Sequence, residues 1–149
     1  MVKVKKKLVA CFVSVFLVLL FFSRGICGTE ADVHFEKGVD YINQGDYQQA
    51  IEEFNQVLNI DSEYVDAYCG IGIAHLYQKK YREAIETLEK AIALNPDKAI
   101  AYYLLGKAYK EIMNYGEAIS AWNKFLALRP GGRRARRLRR HIKRLEEFK

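Results

Sequence analysis

The side chains that could carry catalysis or bind a metal are few and widely spaced in this chain of 149 residues. Its histidines are His34, His75 and His141, and Cys69 is the only cysteine beyond the N-terminal segment. A metal site or catalytic centre needs several such side chains that converge, and no spacing in the sequence predicts that convergence. The sequence therefore predicts no metal site and no cofactor, and it favours a protein that is not an enzyme.

The densest set of charged side chains lies near the C-terminus, after Pro130-Gly131-Gly132. Apolar residues recur three or four positions apart in RRARRLRRHIKRLEEFK, which predicts an amphipathic helix over 133–149. Its apolar stripe consists of Ala135, Leu138, Ile142 and Leu145. Its candidate contacts for an anionic partner are Arg133, Arg134, Arg136, Arg137, Arg140 and Arg144.

This helix has two interpretations that do not exclude each other. It can cap the preceding structure, with the stripe buried and the cations in water. Capping alone does not require eight cations, so an anionic lipid surface or an acidic groove on a partner protein is a second interpretation. The formal charge of +6 supports the second one only locally, because residues 1–30 carry +4, residues 31–132 carry −5 and residues 133–149 carry +7.

The N-terminal segment, 1–27, predicts export. Four lysines within Lys3–Lys7 precede Leu8–Phe22, a run of fifteen uncharged and mostly apolar residues with the length of a signal-peptide core. A membrane span usually needs about 20 residues. The small-residue pattern for cleavage is weak, so an uncleaved signal-anchor and lipidation of Cys27 stay open. We expect a periplasmic or extracytoplasmic protein, soluble or anchored, for which nucleic acid is not an expected partner.

Residues 31–132 repeat with a period of 34. Three columns show it most clearly: Gly38, Gly72 and Gly106; Tyr47, Tyr81 and Tyr115; and Ala50, Ala84 and Ala118. Apolar positions recur between these columns in the same register. The period divides this part of the chain into units 31–64, 65–98 and 99–132.

Each unit is predicted to be a pair of helices. In the second unit, apolar spacing of three and four predicts helices over Val65–Gln78 and Tyr81–Leu94, joined at Lys79-Lys80. The corresponding turns are Gly45-Asp46 and Met113-Asn114. One pair cannot bury both of its faces, so neighbouring units must stack. Asp61 and Asp97 are placed where they could cap the next helix.

These units resemble the tetratricopeptide repeat family, whose repeat is a helix–turn–helix of 34 residues. The third unit has the family's residue types at Tyr102, Leu105-Gly106, Tyr109, Ala118, Trp122 and Pro130. The resemblance implies an all-α solenoid of three repeats with a C-terminal capping helix. His34 and Lys37 replace apolar residues in the first unit, which indicates an end repeat with one solvated side.

The resemblance also implies a concave groove lined by the first helix of each repeat. Carried over residue by residue, its candidate lining is Phe35, Val39, Ile42, Asn43, Cys69, Ile73, Leu76, Tyr77, Tyr103, Lys107 and Lys110. Cys69 has a second interpretation as a small buried residue. Relatives that grip acidic chaperone tails use cationic and amide side chains where this chain has Phe35, Val39, Gly70, Ile100 and Leu104.

A mostly apolar groove favours a peptide or an amphipathic helix of a partner protein. Alternatively, Phe35, Val39 and Ile42 pack on the preceding chain or on another subunit. We therefore expect a non-enzymatic adaptor or scaffold of an exported or envelope complex. The alternative function is a peripheral binder of membranes or polyanions, acting through the arginine-rich helix.

Overall fold

The computed structural model describes residues 29–147, and all regular structure within that range is α-helical. The helices are α1 Glu30–Gln44, α2 Tyr47–Ile60, α3 Val65–Tyr77, α4 Tyr81–Leu94, α5 Ala99–Glu111, α6 Tyr115–Leu128 and α7 Gly132–Glu146. The predicted all-α solenoid is confirmed, with α1–α2, α3–α4 and α5–α6 as its three helix pairs. The predicted export segment, 1–27, lies outside the described residues.

Of the seven helices just described, none is long and apolar enough to cross a membrane. The first of them begins with a capping box, in which the Thr29 side chain accepts from the amide of Asp32 and the Asp32 carboxylate accepts from the amide of Thr29. This reciprocal pair satisfies two amides that the first turn of a helix leaves free. The repeats therefore begin at a well-defined residue.

The turn inside each repeat has the same backbone geometry. Gly45, Lys79 and Met113, which are 34 residues apart, adopt left-handed conformations with φ of 87°, 61° and 61°. The amide of the next residue then donates to the carbonyl oxygen five positions back, and the N···O distance is 2.9 Å in all three repeats. This is the hydrogen bond of a Schellman helix end. The predicted turns are confirmed, and two of them hold a side chain in a conformation that favours glycine.

The predicted helix caps at Asp61 and Asp97 are wrong. Helices α3 and α5 begin after Tyr64 and Lys98, and neither start has a capping hydrogen bond from a side chain. The Asp61 carboxylate instead accepts from the amide of Glu63, two residues on, at 3.0 Å. A short side chain that closes its own turn in this way is not available to the helix that follows.

The two helices of each repeat cross where a glycine faces a large side chain. A Cβ added at Gly38 would lie 2.6 Å from Phe54, and one added at Gly72 would lie 2.7 Å from Leu88. At Gly106 the added atom would overlap the indole of Trp122. The absence of a side chain at these glycines lets the helix backbones approach closely, as the 34-residue column predicted.

Neighbouring repeats are joined by the same large side chains. The ring of Phe54 is 1% exposed and lies against Gly38 of its own repeat and Gly70 of the next one. Small residues of α3, such as Ala67 and Ala74, complete this part of the core. A single buried ring thus connects the first repeat to the second.

The terminal helix α7 packs on the third repeat. Its stripe residues Ala135, Leu138 and Ile142 are buried, and the last two pack with Trp122 and Phe125 of α6. The side chain of Arg139 donates to the carbonyl of Pro130 at 2.8 Å, which ties the helix to the segment before it. The prediction of a capping helix is confirmed.

We predict that Gly106→Ala destabilises the protein by about 1–3 kcal/mol, because the new methyl group overlaps an indole that is already buried. Urea denaturation followed by circular dichroism measures the effect. The matched control is Gly116→Ala, at an exposed position of α6, where alanine is expected to be neutral or slightly stabilising. Equal unfolding midpoints for the two variants would contradict the packing described here.

Candidate functional site

A concave cavity of about 650 Å³ lies between the third repeat and the terminal helix. It is lined by Tyr103, Lys107, Lys110, Trp122, Arg133, Arg134, Arg137, Leu138, His141 and Arg144. Its volume falls within the range of small-ligand pockets, roughly 300–1,000 Å³. The cavity is therefore large enough to hold part of a peptide.

Helical periodicity explains why these side chains meet. Tyr103, Lys107 and Lys110 are four and three residues apart on α5, so they share one face of that helix. On α7, Arg137 and Arg144 lie on one flank of the buried stripe. When the stripe packs on α6, this flank turns toward the exposed face of α5.

Aromatic contacts hold the two walls of the cavity together. The Trp122 indole donates to the carbonyl oxygen of Tyr103 at 3.2 Å, which fixes the indole against α5. The guanidinium of Arg134 lies 5.0 Å from the centre of the Tyr103 ring, within cation–π range. The His141 ring meets the indole edge-on, with centroids 5.2 Å apart. The cavity thus has an aromatic floor and cationic walls.

The cavity is strongly positive, because its lining includes six lysine and arginine side chains and no carboxylate. Lys110 is paired with Glu111 at 2.6 Å, which offsets one of these charges. In residues 29–147, no ion pair joins an arginine of α7 to a carboxylate. Burial, together with the nearby charges of Lys110 and Arg144, lowers the pKa of His141 below its usual value.

The groove predicted for the first two repeats continues this face at equivalent positions. Val39 and Tyr77 are 39% and 59% exposed, and Asn43 is also exposed. Phe35, Ile42, Ile73 and Leu76 are half-buried. The half-buried residues pack into the core of the repeats, so the exposed ones provide most of the surface that a partner could reach.

Phe35 has a structural role as well as a groove position. Its ring lies 5.5 Å from that of Phe54 and 5.4 Å from that of Tyr64, measured between centroids. Tyr64 in turn donates to the carboxylate of Asp32 at 3.2 Å. Replacement of Phe35 would therefore disturb the junction of the first two repeats, and Val39 is the better probe of the groove.

The prediction that Cys69 lines the groove is wrong. It is 4% exposed and packs with Leu88, Leu104 and Leu105 in the core between the second and third repeats. Burial raises the pKa of its thiol to about 11, and the charge of Asp66 contributes in the same direction. The interpretation as a small buried residue is the one that the structure supports, and this thiol offers a partner almost no surface.

The structure divides the six candidate arginines into two sets. All six are exposed, but Arg133, Arg134, Arg137 and Arg144 line the cavity, whereas Arg136 and Arg140 do not. Sequence reasoning placed Trp122 and Leu138 in the core and gave His141 no role, yet all three border the cavity. The period of α7 separates its two flanks, but only the packing of the helix shows which flank faces α5.

No group of side chains in residues 29–147 has the composition and proximity of a metal site. The ring of His34 lies 2.6 Å from the Glu53 carboxylate and links α1 to α2 within the first repeat. The pair is half-buried and remote in sequence from the cavity. It is a structural contact between two helices.

Family models identify the repeats. A TPR-repeat model matches residues 38–79 and 74–112, and a tetratricopeptide-repeat model matches residues 100–131. Together these matches cover more than half of the chain and span residues 38–131, from within α1 to beyond the end of α6. The chain belongs to the tetratricopeptide repeat family. No curated protein matched it in a sequence comparison.

Solved structures of similar fold are also tetratricopeptide domains. The first such domain of Spaghetti (RPAP3), bound to the HSP90 peptide SRMEEVD, has a TM-score of 0.75 and 27% identity, over 83% of this chain and 99% of that one. The second such domain of human RPAP3, in complex with the HSP70 peptide SGPTIEEVD, has a TM-score of 0.70 and 26% identity, over 76% and 94% of the two chains.

MamA has a TM-score of 0.66 and 32% identity, over 71% of this chain and 62% of that one. The two RPAP3 domains are bound to peptides of other proteins, HSP90 and HSP70. The five positions carried over from relatives that grip acidic tails hold Phe35, Val39, Gly70, Ile100 and Leu104 here. Cationic or amide side chains at these five positions therefore do not hold a peptide bound by this chain.

We predict that the Cys69 thiol does not react with Ellman's reagent in the folded protein at pH 8, because it is buried and protonated. The full chain and its Cys69→Ser variant should then give equal labelling when folded. They should differ by one thiol when unfolded. If the folded Cys69→Ser variant were labelled less than the folded full chain, the Cys69 thiol would be accessible and the prediction would be wrong.

Proposed function

We propose that this protein is a non-enzymatic adaptor, which binds a segment of a partner protein along the face formed by α1, α3 and α5. The observation that carries the proposal is the set of exposed side chains that recur on this face. Val39 and Lys107 occupy equivalent positions of the first and third repeats, and Asn43 and Tyr77 occupy equivalent positions of the first and second. Solved domains of the same fold hold peptides of other proteins, which supports a peptide as the ligand.

The setting that we propose is an exported or envelope complex. The support for it is the sequence of residues 1–27, with its lysines followed by fifteen uncharged residues. A protein delivered in this way would present its repeats outside the cytoplasm, either free or held at the membrane by that segment. A scaffold that brings one component to another requires only the binding face.

Site-specific crosslinking tests the binding face. A photoreactive amino acid at Val39 should join the protein to a partner in cells, because Val39 is exposed on the proposed face. The matched control is Val33, on the same helix and 45% exposed but at a position outside the groove set. We expect Val39→Asp to reduce capture of the partner at least about tenfold, since it places a charge in an apolar contact, and Val33→Asp to leave capture unchanged.

Two outcomes would contradict this proposal. Equal crosslinking from Val39 and Val33 would mean that the contact is not specific to the groove. A crosslink from Val39 to residues 1–28 of the same chain would show that the preceding segment fills the groove. The crosslinked peptides, identified by mass spectrometry, distinguish these cases.

A second candidate function is binding to an anionic membrane through α7. It is favoured by the exposure of Arg136, Arg140 and Lys143 on the flank that does not line the cavity. Basic side chains near such a surface contribute about 1 kcal/mol each. Arg136→Gln/Arg140→Gln should then weaken sedimentation with phosphatidylglycerol vesicles by roughly tenfold. Unchanged sedimentation of this double variant would exclude the second function.

A further inference from the structure

The cationic cavity combines two parts of the chain that the repeat pattern treats as separate. Its α5 wall carries groove positions of the third repeat, and its α7 wall carries the pocket arginines Arg133, Arg134, Arg137 and Arg144. The packing of α7 on Trp122 and Phe125 brings these walls together. The arginines of α7 therefore form the wall at this end of the groove.

We propose that this cavity binds a carboxylate-rich segment of a partner protein, with aspartate or glutamate side chains between α5 and α7. The proposal rests on the proposed function, because it assigns a ligand chemistry to one end of the same binding face. The residues that we assign to it are Lys107, Arg133, Arg137 and Arg144, with Tyr103 and Trp122 as the floor.

Guanidinium groups suit this ligand. An arginine can donate two parallel hydrogen bonds to one carboxylate, which lysine cannot do. Four arginines line the cavity. Arg134 contacts the Tyr103 ring, and Nε of Arg144 donates to the carbonyl oxygen of Arg140 at 3.4 Å. None of the four is paired with a carboxylate among the described residues, so a ligand that supplies carboxylates could pair with their guanidinium groups.

The shape of the cavity favours a peptide over a membrane. A lipid surface is broad and contacts the convex, outward side of a helix, whereas these arginines point into a recess beside α5. An extended peptide can enter such a recess and place alternate side chains on both walls. The half-buried ring of Tyr103 would contact the apolar parts of the same segment, whereas Trp122 is 2% exposed and supports this wall from within.

The distribution of charge adds selectivity. Residues 31–132 carry a net charge of −5, which repels an acidic segment from the rest of the repeats. The positive cavity then attracts that segment to one end of the groove. This attraction is sensitive to salt, because the charges of the cavity remain in contact with water.

His141 lies within the positively charged cavity. Its ring contacts Trp122, and burial, together with the nearby charges of Lys110 and Arg144, lowers its pKa. A bound carboxylate would change the surroundings of this ring. His34 and His75 lie in the first and second repeats, so their ring signals should not respond to a ligand in the cavity.

Fluorescence anisotropy with the full chain in a neutral detergent tests the proposal. The probes are a labelled peptide of eight alternating Glu and Asp residues and a control peptide of Gln and Asn. We expect binding of the acidic peptide only. Arg137→Gln/Arg144→Gln should weaken it about tenfold, whereas the matched Arg136→Gln/Arg140→Gln, on the same helix with the same loss of charge, should change it less than twofold.

A second measurement does not depend on the variants. In proton spectra of the unmodified protein, the ring signals of His141 should shift when the acidic peptide is added, and those of His34 and His75 should not. This result would support the proposal even if a variant failed to fold. No shift of His141 at a saturating concentration of peptide would overturn it.

Three results would overturn the proposal by other routes. Equal weakening by the two arginine pairs would indicate diffuse attraction to the whole helix. Equal affinity for both peptides would show that carboxylates are not recognised. Binding to phosphatidylglycerol vesicles without binding to the acidic peptide would assign the arginines to a lipid surface. In each case a crosslink from Val39 to a partner would still support the proposed function.

Discussion

The structure depends on the close approach of two helices at a glycine. In each repeat, a glycine of the first helix faces a large side chain of the second, as in the pairs Gly38–Phe54, Gly72–Leu88 and Gly106–Trp122. A side chain at the glycine would force the helices apart, because protein interiors have no spare volume. The three pairs are 34 residues apart, so each repeat has the same crossing and the repeats can stack in register.

The binding face follows from this register. Because α1, α3 and α5 are oriented alike by their crossings, residues such as Val39, Ile73 and Lys107 occupy equivalent positions on one side of the stack. The composition of that side changes along the chain, from apolar in the first repeat to cationic in the third. The terminal helix adds to the cationic end, since the packing of its apolar stripe also aims one flank of arginines toward α5. A single molecule thus offers two chemistries along one surface.

The sequence predicted the periodic features well. The bounds of α4, Tyr81–Leu94, and the positions of the three turns follow from spacing, which is a local property. The left-handed backbone at Lys79 and Met113 was not predicted. A prediction that depended on tertiary packing failed at Cys69, which occupies a groove position in the repeat but is buried by the adjoining helices. A local prediction failed at Asp61, which closes its own turn instead of capping a helix.

The candidate site also combines features that the sequence predicts with features that depend on the packing of helices. The arginine-rich helix and its apolar stripe were evident from residue spacing. Arg136 and Arg137 are both exposed, and only the position of α5 shows that Arg137 lines the cavity and Arg136 does not. The place of His141 beside Trp122 and near Lys110, where its pKa is lowered, also depends on neighbours that are distant in sequence. Spacing within one helix defines its flanks, but contacts between helices decide what each flank faces.

The position of Trp122 has a spectroscopic consequence. It is the single tryptophan of the chain, and it borders the cationic cavity while its indole is hydrogen-bonded to the carbonyl of Tyr103. Its emission therefore originates at one place, where the third repeat, the terminal helix and the cavity meet. The protein carries an intrinsic fluorophore at this junction, and no label is needed to observe the undocking of α7 separately from the melting of the first two repeats.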